Sequence, residues 1–130
     1  MQPLPDDVDP GEPLARYLLD KKHFSKEKGR VKPRAFMPAR DLKLSVYRVE
    51  GLTEQKLWEI GEKNVAKPSG RTLRGSAKIK TSWVLEKGLA VDPDNIPPRH
   101  ANITGWSQEK SRQKSIAQEF AAMAVLKLRP

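Results

Sequence analysis

The chain has 130 residues, 37% of them hydrophobic, with a formal charge of +9, two histidines and no cysteine. That length is one domain with a modest core, and the absent cysteines exclude disulfides, thiolate metal sites and cysteine nucleophiles. The longest apolar run, Phe120–Leu126, is seven residues where a bilayer span needs roughly 20, so no membrane partner is expected.

Residues 1–12 read as an acidic, proline-rich tail, with little to bury. Residues 13–130 read as the compact domain. The acidic, proline-rich start reads as neither a secretory signal nor a transit peptide, and the expected location is cytoplasmic. In "PLARYLLD", Leu14, Tyr17 and Leu18 stand at helical spacing behind Pro13, which predicts a short helix. The stretch "KKHFSKEKGRVKPRAFMPARD" is broken by Gly29, Pro33 and Pro38. It reads as an irregular basic loop anchored by Phe24, Val31, Phe36 and Met37.

"LKLSVYRV" alternates Leu42, Leu44 and Val46 against Lys43, Ser45 and Tyr47, the pattern of a half-buried strand with Arg48 on the leucine face. A helix follows, capped by Thr53 and stapled by Leu52 and Leu57. After the turn "AKPSGRTLRG", Leu73, Ala77 and Ile79 predict a strand, with Gly75 as a bulge. "TSWVLEKGL" predicts a short helix capped by Thr81 and closed by Gly88. Leu89 and Val91 start a short strand. Past the turn "DPDNIPP", "HANITG" reads as extended. The last helix is capped by Ser107, with Ile116, Ala117, Phe120, Ala121, Met123 and Ala124 on its apolar face. Together these predict an α+β fold, a small sheet of about three to five short strands packed with about three or four helices.

The charge is clustered. Residues 1–20 hold five acids against one base, whereas residues 21–49 hold ten bases against two acids. Such a segment repels itself unless counterions or a partner neutralise it. Lys26, Lys28, Arg30, Lys32 and Arg34 are therefore candidate polyanion ligands, with Phe24, His23 or Phe36 available to stack on bases. Lys110, Arg112 and Lys114 crowd the start of the last helix near Ser107, where free backbone N–H groups favour an anion.

The stretch Pro97–Trp106, "PPRHANITGW", adds a third constellation. As a strand it places His100, Asn102 and Thr104 on one face and Ala101 and Ile103 on the other. Arg99 is a permanent anion clamp, and His100 is the one candidate acid or base for catalysis. No phosphate-cradling loop, zinc pattern or nucleophile elbow occurs, and no metal or cofactor is implied by spacing. The leading expectation is a basic module that binds a polyanion, nucleic acid first and an acidic protein second.

The pieces "SVYRV", "WVLEKGLAVD" and "RHANITGW" resemble, in order, parts of small ADP-ribosyltransferase-like domains. The resemblance covers three short pieces. It implies a phosphate- or dinucleotide-handling enzyme in which Arg48 and His100 contact a nicotinamide dinucleotide. Arg48 stands where some such families place histidine.

Overall fold

Residues 4–130 are described by a computed structural model. Its frame is a six-stranded antiparallel sheet in the order β6-β7-β4-β1-β5-β8. The strands are β1 (Pro13–Leu18), β4 (Leu44–Arg48), β5 (Gly75–Lys80), β6 (Ala90–Pro93), β7 (His100–Thr104) and β8 (Val125–Leu128). A second, two-stranded sheet pairs β2 (Phe24–Ser25) with β3 (Arg30–Val31). The helices are α1 (Glu54–Gly61), which runs through a π turn (Glu62–Ala66) into α2 (Lys67–Ser69), then α3 (Thr81–Glu86) and α4 (Lys110–Met123). The chain is a single domain of mixed helix and strand. The predicted balance is overturned: instead of a small sheet among helices, one large antiparallel sheet and a hairpin dominate, with three helical bodies laid on them.

The largest local correction lies at residues 13–18. The predicted helix is the strand β1, hydrogen-bonded to β4 on one side and β5 on the other. Six residues are too few to sustain an isolated helix. A strand between two others gains two ladders and buries both faces. Leu14 and Leu18 enter one core and Ala15 and Tyr17 the other, so the apolar residues fit a two-sided strand as well as a helix face.

These two cores make three layers. On the first face of the sheet, Leu14, Val46, Ile79 and Ile103 meet Phe36, Val84, Trp106 and Phe120. Phe36 and Trp106 both form T-shaped pairs with Phe120. On the second face, Tyr17 and Tyr47 meet Leu57, Trp58 and Ile60 of α1. Thr53 caps α1 as expected, its hydroxyl accepting the Lys56 N–H at 3.2 Å. Gly61 is tight against Tyr17: a Cβ there would lie 2.7 Å from the ring.

Other expectations shift in detail. The basic segment is not irregular; it holds the β2–β3 hairpin and a 3₁₀ turn over Pro33–Phe36. Val31 and Phe36 are buried, and Phe24 and Met37 pack against the same core. Gly75 is no bulge. It pairs in register with Leu18 and Leu128, and a Cβ would fall 2.7 Å from the Lys127 carbonyl. Thr81 does not cap α3; its hydroxyl donates to the Glu12 carbonyl at 2.8 Å. Ser107 lies short of α4, which starts at Lys110, and accepts instead from the Glu109 N–H. The terminal "VLKLRP" supplies the edge strand β8.

Candidate functional site

Side chains on a strand alternate between faces, and on β4 that parity separates two kinds of polar residue. Leu44, Val46 and Arg48 face the first core, while Ser45 and Tyr47 face the second side. β7 is in register with β4, Ser45 opposite Asn102 and Tyr47 opposite His100. The second face thus carries Ser45, Asn102, His100 and Tyr47 together. α1 covers Tyr47. It stops short of Ser45, which is exposed.

Ser45 Oγ lies 2.7 Å from His100 Nε2, and His100 Nδ1 lies 2.7 Å from Asp94 Oδ1. An ionised carboxylate only accepts hydrogen bonds. In the neutral imidazole Nδ1 therefore carries the proton and donates to Asp94, leaving the Nε2 lone pair to accept from the Ser45 hydroxyl. Asp94 is held by the turn that precedes β7. The Ile96 N–H donates to its carboxylate, and the Asn95 N–H and His100 N–H close the turn through the His100 and Pro97 carbonyls. Burial works to raise the Asp94 carboxyl. The His100 hydrogen bond, followed by the Ile96 N–H, outweighs it and leaves the group below the ordinary carboxylate range. The Tyr47 ring packs on the imidazole in a T-shaped pair, with centroids 5.3 Å apart. Burial, then the Asp94 charge, pushes the Tyr47 phenol up to about 12.

Ser45 and Asn102 also border a cleft of about 380 Å³, whose walls include Arg16, His23, Arg34 and Lys43. The cleft exists because β1 and β4 pair at only two positions and then part. The Arg16 guanidinium spans the gap, donating to the Ala35 and Ser45 carbonyls at 3.0 Å each. Burial lowers the pKa of Arg16, and burial likewise lowers His23 against the opposing pull of Asp20. Asp41 is the one acid on the lining. A larger groove, about 1060 Å³, runs past Trp58, Lys63, Arg71 and Arg129, but no nucleophile and base converge there.

The sequence-predicted residues fall into separate places. Lys26 and Lys28 sit in the hairpin turn, Arg30 on β3, and Lys32 and Arg34 just after it, all exposed. Arg34 reaches the cleft. Lys110, Arg112 and Lys114 are exposed on α4, which packs on the first face through Ala117 and Phe120. His100 and Asn102 point to the second face, opposite the face on which α4 and its basic first turns lie. Arg99 is turned inward, its guanidinium donating to the Arg48 and Glu50 carbonyls at 3.0 and 3.1 Å.

Arg48 is 1% exposed. Its guanidinium donates to both Glu12 carboxylate oxygens, at 2.6 and 3.1 Å, and to the Pro5 and Asp7 carbonyls. Part of the acidic segment therefore folds onto Arg48. Arg48 and His100 stand on opposite faces of the sheet and do not converge on one ligand.

Two members of this hydrogen-bonded chain, Ser45 and Asp94, escaped sequence reasoning. Ser45 is an ordinary solvent-face residue of an alternating strand, and Asp94 is one of several turn acids. Only the β4–β7 register and the fold of the turn bring them to His100. Among the described residues, no group of three histidine, aspartate or glutamate side chains is placed to hold a metal, and no helix is long and apolar enough to cross a membrane. No family model, curated protein or solved structure matches this chain.

Proposed function

We propose that this protein is a nucleic-acid-binding module whose contact surface runs from the β2–β3 hairpin to the basic cleft. One observation carries the reading. Lys26, Lys28, Arg30, Lys32 and Arg34 are all exposed, and none of them forms an ion pair among the described residues. A hairpin and a 3₁₀ turn anchored by Val31 and Phe36 hold these charges in place. Preorganised cations of one sign attract a polyanion and gain from counterion release. The two phenylalanines serve as core anchors, which makes phosphate contacts rather than base stacking the main term.

The test is fluorescence anisotropy of the full chain with 20-nucleotide single-stranded RNA and double-stranded DNA. Four phosphate contacts predict about a 100-fold loss of affinity between 50 and 200 mM salt. Reversing Lys26, Lys28, Arg30 and Lys32 together to glutamate is expected to abolish that salt dependence along with most of the binding. Undiminished binding by the quadruple variant would sink the proposal. Binding of polyglutamate but of neither nucleic acid would shift it to an acidic protein partner.

A further inference from the structure

We propose that Ser45, His100 and Asp94 form an acyl-transfer relay that hydrolyses a carboxylic ester carrying a negative charge. The relay rests on the geometry of the second sheet face; of the residues that carry the nucleic-acid reading it shares only Arg34, at the cleft wall. Three features support it. Both hydrogen bonds are 2.7 Å, and their donor order is set once Asp94 is ionised. Ser45 is exposed at the cleft, so its oxygen is open to substrate, whereas His100 is largely covered, with 14% of its side chain exposed. The ring is held from two sides, by Asp94 and by the Tyr47 ring. A nucleophile in contact with a base, and that base oriented by a third group, is the arrangement serine needs to react.

The step balances with water as co-reactant. Ser45 Oγ bonds to the ester carbonyl carbon as the C=O π pair moves onto the carbonyl oxygen, and the Oγ proton passes to His100 Nε2. The tetrahedral centre collapses, the bond to the leaving oxygen breaks, and that oxygen takes the proton from Nε2. Water then attacks the acyl-Ser45 carbonyl while giving a proton to Nε2. The acid departs, and Ser45 recovers its proton. Asp94 is a positioning residue: it holds the imidazole in the reactive tautomer and stabilises the imidazolium. Asn102 stands directly opposite Ser45 in the ladder and borders the same cleft, which makes its amide the nearest candidate donor to the developing oxyanion. Arg34 and Lys43 on the cleft wall select an anionic remainder of the substrate.

The experiment uses a fluorophosphonate probe, which reacts with activated serines, and intact-mass and peptide mapping of the full chain. The expected result is a single adduct on Ser45, absent in Ser45→Ala and formed at least about 100-fold more slowly in His100→Gln. If His100→Gln does not fold, as judged by near-UV circular dichroism, Asp94→Asn carries the test. It should slow labelling about 10-fold or more and remove the downfield Nδ1 proton resonance that a merely structural contact would not tie to labelling. Wild-type turnover of the 4-nitrophenyl half-ester of glutaric acid should exceed that of 4-nitrophenyl acetate in kcat/KM by at least about 10-fold. No adduct on Ser45, or equal labelling rates in wild type and both relay variants, overturns the relay. Equal turnover of the two esters overturns the anionic substrate. No nucleic acid is present, so the relay and the binding surface fail separately.

Discussion

Ser45 and Arg48 lie three residues apart on β4, and the sheet treats them in opposite ways. Arg48 points into the first face, where Glu12 and two carbonyls accept its guanidinium hydrogens and solvent is excluded. Ser45 points out of the second face beyond the reach of α1 and keeps an open side next to His100. Buried charge demands full satisfaction because an unpaired one costs several kcal/mol, so Arg48 is structural. Partial exposure leaves the Ser45–His100–Asp94 hydrogen bonds reachable by a ligand, which is why the proposed relay is placed there. On this strand charge by itself does not tell a buried ion pair from an accessible side chain; strand parity and cover do.

The comparison breaks most visibly at Arg48. Replacing it by alanine strands Glu12 in a buried site and is expected to cost about 3–5 kcal/mol, much of the stability of a domain of this size. Urea denaturation would show it as a large fall in midpoint. Replacing Arg48 and Glu12 together by methionine and leucine should recover most of the loss. A mild effect of the single change would mean that Arg48 is not the closed counterpart of Ser45.

The covered half of the second face gives an intermediate effect with alkaline pH. Burial raises the Tyr17 phenol, which also donates to the Leu57 carbonyl at 2.6 Å, and burial raises Tyr47 to about 12. The folded chain therefore retains phenol protons that the unfolded chain releases near pH 10. Their stabilisation is complete below pH 10 and is lost as pH rises toward 12. Melting temperatures between pH 9 and 11.5 should fall along that window, and less steeply in Tyr47→Phe. A flat profile would argue that α1 does not seal this half of the face.

The smallest effect is expected at the open half. Ser45→Ala removes one exposed hydroxyl and should move stability by no more than about 0.5 kcal/mol while eliminating the Ser45 adduct. A loss of several kcal/mol would make the relay a structural contact and erase its contrast with Arg48.

Much of the architecture was legible because it is local. The Thr53 cap of α1, the left-handed Gly88 that closes α3, and the alternation of β4 and β7 all follow from neighbours within a few residues. β1 was misread because Leu14, Tyr17 and Leu18 satisfy helical spacing. The competing answer required knowing that β4 and β5 would arrive on either side. Arg48 and Arg99 looked like anion ligands because a sequence gives charge without orientation. Their guanidinium groups turned out to face Glu12 and main-chain carbonyls.

By itself the amino-acid order determined that this is a basic, cysteine-free chain with its positive charge gathered in residues 21–49. It also determined that His100 and Asn102 share a strand face. Charge and side-chain alternation are properties of the covalent chain and survive any packing. Only the tertiary structure decided which base is locked away, which half of the second face α1 leaves uncovered, and that Ser45 and Asp94 meet the two nitrogens of His100. Those contacts join residues 55 and six positions apart. Their formation depends on strand register and turn closure, which no single segment encodes.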